Sequence, residues 1–366
     1  MIIVNIVNMN VDTRIKSIDA LRGIVLLGIL LVYLLGFFGF PQPINSCSSS
    51  VDLFLQKIIY IFLPNRCNIV FTILFGVSFY FILKKPQYSS WRFIWRCVLL
   101  IFLGLLVKKF YTWDALMYYG LMGIVLVIFR GAKNRTLLVF FVITFFATIF
   151  LAKYQIGTLI FHSPEIYRYQ IGDSLLDIVN YSVFDSAIDY LRVVFNSGIF
   201  GSLSYFILGY YLAKSGIIKK IDNLKIKHLM FIGFLYLLFF FLMIKINNNY
   251  LIITRLRNLF GALFYATSFL YLYKRVGKYL SYLEAYGRLG LTNYCMQNIF
   301  GVIFMSSVLI PCGCSFSFMF IFFMLFYILQ LFFSVVWLRY FKYGPLEWCW
   351  RCITYLQYIP NRRSKL

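Results

Sequence analysis

The side chains that could do chemistry are few, and the clearest pair is cationic. Arg92 and Arg96 are four residues apart at the start of an apolar segment, so a helix places both on one face. Guanidinium groups near a helix N-terminus favour a bound phosphate, through charge-assisted hydrogen bonds and the helix dipole. We predict that Arg92 and Arg96 form a phosphate site at the membrane surface. The alternative is that both only mark the cytoplasmic side.

Side chains that could move a proton are scarce, because the chain contains 2 histidines. His228 follows a lysine at the end of an apolar segment, so a mechanism that needs a histidine base depends on His162, near Glu165. We favour a solvated loop residue at position 162. Asp114 opens the fourth apolar segment and is the second candidate for a catalytic role. The alternative for Asp114 is a helix-start acid at the membrane interface.

Two further pairs of polar residues interrupt apolar segments and are candidates for substrate binding. Arg255 and Arg257 open the eighth segment, where they could contact an anionic external group or extend to the outer headgroups. Asn293 and Gln297 are four residues apart and share a helix face. The alternative for these amides is hydrogen bonding between helices, which is their more common role.

The elements that must position these residues are membrane-spanning helices. The chain has 366 residues, 62% hydrophobic and 13% charged, with a mean hydropathy of +0.82, which is more apolar surface than one soluble core can bury. About ten runs have membrane-spanning length: near 20–40, 67–84, 91–108, 114–130, 135–152, 196–213, 227–246, 254–274, 290–310 and 316–338. With the N-terminus in the cytoplasm, Lys and Arg clusters fall on the inner side. The pattern predicts an all-α polytopic transmembrane bundle with both termini cytoplasmic.

The charge distribution and the remaining segments complete this prediction. The net charge of +23 is spread over short clusters between apolar runs, which indicates a lipid bilayer as the partner and excludes nucleic acid. Residues 1–366 form a single membrane domain, with an interfacial helix at 51–63 and an external loop at 153–191. The first span is too long for a cleaved signal. We predict no metal site, because the C-x-x-C at 349–352 has no second pair; a disulfide among Cys47, Cys312 and Cys314 stays open.

Four segments carry a family resemblance. Residues 14–30 (RIKSIDALRGIVLLGIL) resemble the first-span signature of the YeiB-like bacterial membrane proteins, the domain-of-unknown-function 418 family. Residues 287–294 (GRLGLTNY) and 343–351 (YGPLEWCWR) resemble its two C-terminal blocks, in a region of about 195–356. Residues 66–76 resemble a further block that contains Arg66 and Thr72. The resemblance covers essentially the whole chain, implies the bacterial cytoplasmic (inner) membrane, and adds Arg66 and Thr72 to the substrate-binding candidates.

The family is similar, in its first span and layout, to the transmembrane acyltransferases, including the acyltransferase-3 proteins and the lysosomal heparan glucosaminide acetyltransferase. The resemblance implies transfer of an acyl group from a cytoplasmic acyl-CoA, a co-substrate and not a tightly bound cofactor, to an envelope glycan or lipid acceptor. It assigns Arg22, Arg92 and Arg96 to the phosphates of CoA. Tyr33 and Val107 stand where related proteins carry histidine.

Two interpretations stay open beside this one. The charged residues near the inner face are interpreted mainly as a structural ion-pair cluster that contains Asp19, Arg288, Glu347 and Arg351; Asp19 can also pair with Arg22, three residues on. The alternative function is a transporter or flippase that moves an anionic or lipid-linked envelope substrate without catalysis.

Overall fold

The computed structural model describes residues 15–37, 49–85, 89–108, 115–153, 197–245, 251–304 and 315–363. Over these residues the regular structure is helical, apart from an isolated β-bridge between Phe341 and Arg362. The expectation of an all-α membrane protein is confirmed at this level. Several predicted features lie outside the described residues: Asp114, His162, almost all of the loop at 153–191, and the three cysteines Cys47, Cys312 and Cys314.

Thirteen α-helices are described, and two short 3₁₀ helices at Ile218–Asn223 and Gly277–Leu280 connect some of them. The α-helices are α1 (Lys16–Phe37), α2 (Ser50–Phe62), α3 (Arg66–Leu83), α4 (Ser90–Lys108), α5 (Leu116–Ile128), α6 (Asn134–Lys153), α7 (Ser197–Lys214), α8 (Ile226–Lys245), α9 (Leu251–Val276), α10 (Ser281–Arg288), α11 (Gly290–Phe304), α12 (Phe316–Tyr340) and α13 (Pro345–Tyr355).

Length and hydropathy identify 6 described segments that could cross a bilayer. They are Lys16–Leu35, Ser50–Leu83, Ser90–Val107, Asn134–Leu151, Ile226–Lys245 and Phe316–Tyr340. The second combines α2 and α3, which meet at a bend where Asn65 has a φ of +64°. These segments support a membrane protein, whereas ten spans and cytoplasmic termini stay predictions.

The first helix lies at the centre of the bundle. Helix α1 packs against α3, α9, α10 and α12, and its side chains Leu26, Leu30 and Leu34 are fully buried. Helix α8 lies at the periphery, where it packs chiefly on α9 and exposes Phe231, Phe234 and other large apolar side chains. Exposed apolar surface of this kind is what a bilayer solvates.

Close backbone contact at glycines joins the helices next to the centre. A Cβ atom at Gly287 of α10 would lie 1.9 Å from the carbonyl oxygen of Asp19 on α1, and one at Gly209 of α7 would lie 2.1 Å from that of Ile73 on α3. Small residues allow such approach, and in lipid this close packing is a main source of helix association. The contact at Gly287 brings Arg22 and Arg288, each next to a glycine of this crossing, to the same end of the bundle.

Local signals set the ends of the helices around that region. Pro345 occupies the first turn of α13, where its missing N–H removes no helix hydrogen bond. At the other end of the bundle, Ser49 and Asp52 form a capping box on α2. The Asp52 carboxylate also accepts a hydrogen bond from the Ser317 N–H at 2.8 Å, which ties the start of α12 to α2.

Candidate functional site

A cavity of about 210 Å³ opens between α1, α3, α4, α5, α10, α11 and α13. Its lining combines cationic groups with an aromatic wall. The charged lining residues are Arg22, Arg96, Arg288 and Glu347, and the aromatic ones are Phe71, Phe75, Phe79, Phe93, Tyr294 and Trp350. Arginine side chains bind phosphate, and aromatic side chains pack against organic groups. A cavity that combines both is suited to an anionic organic molecule.

Arg22 is fixed from three sides. Its Nη1 lies 3.1 Å from the Asp19 carboxylate, an ion pair within α1, and 3.4 Å from the carbonyl oxygen of Gly287 on α10. Its Nη2 donates to the Ser78 hydroxyl on α3 at 2.9 Å. The arginine therefore joins three helices while its guanidinium faces the cavity.

Arg92 and Arg96 occupy different positions although they share a helix face. Arg96 is half-buried, lines the cavity, and has its guanidinium carbon 5.5 Å from the ring centroid of Trp350 on α13. Arg92 is exposed and lies outside the cavity lining. Its guanidinium carbon lies 5.6 Å from the ring centroid of Tyr355, which is also on α13. Cation–π contacts of this kind attach α13 to α4.

Glu347 caps a helix beside the cavity. Its carboxylate accepts hydrogen bonds from the backbone N–H groups of Leu291 at 2.8 Å and Thr292 at 3.1 Å, and from the Thr292 hydroxyl. These donors lie at the N-terminus of α11, where a carboxylate is favoured by the helix dipole. Burial raises the pKa of the Glu347 carboxyl, and the hydrogen bonds from Thr292 oppose that rise.

Further cations lie close to the arginines of the cavity. Lys85 follows the end of α3, and its ammonium pKa is lowered by partial burial and by the charges of Arg351 and Arg96. The Arg351 guanidinium carbon lies 4.3 Å from the ring centroid of Tyr343. This end of the bundle therefore has an electrostatic potential that attracts anions.

Tyr294 lines the cavity and meets a second tyrosine. Its hydroxyl oxygen lies 3.0 Å from that of Tyr33 on α1 and accepts a hydrogen bond from the Ala115 N–H at 3.4 Å. Its ring stacks on Phe71, with centroids 5.9 Å apart. Tyr294 therefore places a hydroxyl group at the cavity wall, with the Tyr33 hydroxyl hydrogen-bonded to it.

The amide candidates Asn293 and Gln297 belong to a buried network outside the cavity lining. Asn293 Nδ2 donates to the Ser334 hydroxyl and to the Tyr286 carbonyl oxygen, each at 3.0 Å. Gln297 Nε2 donates to the Tyr286 hydroxyl at 2.7 Å, which itself donates to Gln330 Oε1 at 2.9 Å. These hydrogen bonds join α10, α11 and α12. They correspond to the alternative to substrate binding for these amides, which is hydrogen bonding between helices.

The remaining substrate candidates lie outside the cavity lining. Thr72 is buried and donates its hydroxyl to the Asn68 carbonyl oxygen at 2.7 Å. Arg66 is fully buried at the start of α3, and Arg257 lies on α9 with its guanidinium bound to Asn258. Arg255 donates to the Phe145 carbonyl oxygen at 3.3 Å and stacks on that ring, so it faces α6.

Sequence reasoning did not single out several residues that form the cavity. Ser78, Trp350 and Tyr294 received no role, although Trp350 and Tyr294 belong to segments that carry the family resemblance. Arg288, which the charge pattern predicts to be part of an ion-pair cluster, also lines the cavity. The sequence signal for Tyr294 is its position in the segment GRLGLTNY, four residues after Gly290. In the structure, Gly290 leaves space for the Arg22 side chain.

Comparison with known proteins gives a family and relatives. Residues 212–357 match the family described as "Protein of unknown function (DUF418)", which confirms the resemblance over that region. The chain is similar to "Uncharacterized protein YxaH" of Bacillus subtilis (strain 168), at 27% identity over 95% of this chain and 96% of the relative. It is equally similar to "Uncharacterized 39.9 kDa protein in amylase 3'region" of Bacillus acidopullulyticus, at 27% identity over the same shares. No solved structure matches significantly.

Proposed function

We propose that the protein is a ten-span enzyme of the bacterial cytoplasmic membrane that transfers an acyl group from cytoplasmic acyl-CoA to an envelope glycan or lipid. The observation that carries the proposal is the convergence of Arg22, Arg96 and Arg288, from three helices, on one aromatic-walled cavity. Three guanidinium groups around one space favour a ligand with several phosphate charges, and CoA is such a ligand.

The side of the membrane is inferred from the loops around the cavity. Its walls include the start of α1, the end of α3, the start of α4 and α13. The connections at these ends are rich in cations, including Lys84, Lys85, Lys342 and Arg363. Under the positive-inside rule this end faces the cytoplasm, where acyl-CoA is available. Both termini then lie on the same side.

The size of the cavity limits how CoA could bind. A volume of about 210 Å³ is below the ~300–1,000 Å³ typical of pockets that enclose a whole organic ligand. The cavity would therefore hold one phosphate-bearing part of CoA, and the rest would extend out of the cavity toward the aqueous phase. Arg96 and Trp350 stand on that path, so they would contact the ligand as it enters.

The transfer itself needs an acceptor and a route for one proton. An acceptor hydroxyl oxygen attacks the thioester carbon, the carbon–sulfur bond breaks, a carbon–oxygen bond forms, and the hydroxyl proton ends on the CoA thiol. Asp114 and His162 stay the candidates for carrying this proton. Tyr33 and Tyr294 could hold the acceptor hydroxyl by hydrogen bonds, since Tyr294 lines the cavity.

A transporter or flippase for an anionic or lipid-linked substrate is the second candidate. The observation that favours it is that neither Tyr33 nor Val107, at the two positions where related proteins carry histidine, can replace a histidine base. Val107 is buried and cannot move a proton, and the Tyr33 hydroxyl already meets that of Tyr294. The same arginines would then bind the anionic group during passage.

Label transfer in vesicles distinguishes the two candidates. Purified protein is reconstituted with envelope lipid and glycan extract, and acyl-CoA labelled in its acyl group is added on the side of α13. Acyltransfer predicts label on an acceptor with release of free CoA thiol, and loss of both signals in Arg96→Gln and Arg288→Gln. Movement of an unmodified substrate, without release of thiol, would instead identify a transporter.

A further inference from the structure

Arg66 carries an unsatisfied hydrogen-bonding edge in the interior of the bundle. Its side chain is 1% exposed, and its Nη1 donates to the Ile61 carbonyl oxygen at 2.6 Å. Its Nε and Nη2 have no hydrogen-bond partner among the described residues. These two nitrogens form the edge of a guanidinium that can bind two oxygens of one anion at once. A buried charge is unfavourable unless it is paired, so this edge requires a partner.

Neighbouring helices close tightly over this edge. A Cβ atom at Gly261 of α9 would lie 3.1 Å from Arg66 Nε and 2.9 Å from a ring carbon of Tyr236 on α8. The Arg66 guanidinium carbon also lies 5.8 Å from the Tyr236 ring centroid. Glycine at position 261 therefore lets α9 and Tyr236 close over the guanidinium, so an anion reaches Nε and Nη2 only when Tyr236 moves aside.

A second guanidinium adds to the positive charge at this place. Arg257 lies four residues before Gly261, one turn away on the same face of α9. Its Nε and Nη2 donate to Asn258 Oδ1 at 3.2 and 2.9 Å, and its Nη1 contacts the sulfur of Met243. Both partners are neutral, so they leave the positive charge uncompensated. The Arg66 and Arg257 charges also lie close enough to act on each other.

The described acids are engaged elsewhere. Within the described part of the chain, no ion pair joins an acid to Arg66 or Arg257. Asp52, on the helix that precedes Arg66, accepts hydrogen bonds from Ser49 and Ser317. Two positive charges thus share one region with neutral hydrogen-bond partners, and an anion from outside the described chain is the group that would balance them.

The depth of this region fits a phosphate at the membrane surface. Arg66 is the first residue of α3, and Arg257 is six residues into α9, a rise of about 9 Å. Along α3 the cavity extends from Phe71 to Ile82, and Ser78 and Ile82, at its cationic end, are 12 and 16 residues from Arg66, about 18 to 24 Å away. The region therefore lies toward the membrane face opposite the cationic end of the cavity. Helix α8, which provides Tyr236 as the cover, is peripheral and borders the lipid.

We propose that Arg66 and Arg257 form a phosphate-binding site toward the membrane face opposite the cationic end of the cavity. The ligand is a phosphate group carrying negative charge, either the phosphodiester of an anionic phospholipid or free inorganic phosphate. The Arg66 Nε–Nη2 edge binds two of its oxygens, and Arg257 balances the charge from one helical turn away. The site does not depend on the proposed acyl transfer, because neither arginine lines the cavity.

The test uses the full-length protein purified in a non-ionic maltoside detergent, which contains no phosphate. Its thermal unfolding midpoint is measured with short-chain phosphatidylglycerol, with inorganic phosphate, and with chloride at the same ionic strength. We expect a higher midpoint than in chloride for the wild type and no such rise for Arg66→Gln. A rise with the lipid alone identifies a headgroup site, whereas a rise with both ligands identifies a site open to free phosphate.

Arg255→Gln is the matched control, because Arg255 is also on α9 but donates to the Phe145 carbonyl oxygen and stacks on that ring. It should keep the ligand-dependent rise. If Arg66→Gln does not fold, Arg66→Lys, which keeps the charge and loses the paired edge, should bind about tenfold more weakly. The proposal would be overturned if neither ligand raises the wild-type midpoint above its value in chloride. That result is expected if an acid of the chain itself pairs with Arg66. An unchanged rise in the folded Arg66 variant would also overturn the proposal.

Discussion

Arg96 lies over the indole ring of Trp350, with 5.5 Å between the guanidinium carbon and the ring centroid, and this contact forms part of the cavity wall. One turn earlier on α4, Arg92 makes the same kind of contact with Tyr355, at 5.6 Å, outside the cavity lining. Both arginines are on α4, and both make a cation–π contact with an aromatic residue of α13. They differ in access to the cavity, so each is the control for the other.

Gly287→Ala should destabilise the bundle. The added methyl carbon would lie 1.9 Å from the carbonyl oxygen of Asp19, so α1 and α10 must separate, at a cost of about 1–3 kcal/mol. Unfolding in mixed detergent micelles measures the loss. Gly131→Ala is the control, because no atom lies within 4 Å of its added carbon, and it should change stability by about 0.5 kcal/mol or less. Equal stability of the two variants would contradict the close crossing.

Glu347→Gln should reveal the raised pKa of the buried carboxyl. Because burial raises the pKa of Glu347 in the folded state, the folded protein holds this proton more tightly than the unfolded chain. The stabilisation from that proton is present at low pH and is lost as the pH rises through the raised pKa. The wild type should therefore lose stability relative to Glu347→Gln as the pH rises above the ordinary glutamate pKa of about 4.3. Unfolding midpoints of both proteins, measured at several pH values, test this direction. If the wild type instead becomes more stable than Glu347→Gln as the pH rises, the prediction is wrong.

Tyr33→Phe and Tyr294→Phe should be coupled. The hydroxyl oxygens lie 3.0 Å apart, so each single change breaks the same hydrogen bond and leaves one hydroxyl with fewer partners. A double-mutant cycle on unfolding should give a coupling energy of about 0.5–1.5 kcal/mol. Additive losses would show that the two hydroxyls do not interact. If the acyltransfer proposal holds, Tyr294→Phe should also slow transfer while CoA binding is retained.

The topology is tested by cysteine labelling at Ser163 and Lys220. The Lys and Arg bias puts residue 163 outside and the 3₁₀ helix that contains exposed Lys220 inside. A membrane-impermeant maleimide applied to intact spheroplasts should label Ser163→Cys and spare Lys220→Cys, which reacts only after permeabilisation. Labelling of both positions from the same side would rule out the ten-span arrangement.

The parts of the site that the sequence could predict are local. Helical spacing alone puts Asp19 beside Arg22, and Arg92 on the same face as Arg96. The cavity depends instead on contacts between residues far apart in sequence. Arg22 meets the Gly287 carbonyl oxygen, and Arg96 meets Trp350, because backbones cross closely at glycines and α13 folds back on α4. Charge patterns carry no information about such crossings.

Arg66 shows a second limit of sequence reasoning. The resemblance makes it a substrate candidate, and its position at a span end is equally typical of an arginine that reaches the headgroups. Its near-complete burial follows from Tyr236 and Gly261, 170 and 195 residues further along the chain, which close over it. Burial of a charge depends on the packing of three helices, and no periodicity of α3 alone predicts it.

The binding of CoA to Arg96→Gln and Arg92→Gln, measured by calorimetry on purified protein in nanodiscs, tests the central claim most directly. Arg96 lines the cavity and Arg92 does not, so loss of the Arg96 guanidinium should weaken binding by about ten- to a hundredfold, as expected for a charged hydrogen-bond partner. The Arg92 variant should bind like the wild type. Equal affinities in wild type and Arg96→Gln, or an equal loss in both variants, would contradict the assignment of the cavity to CoA.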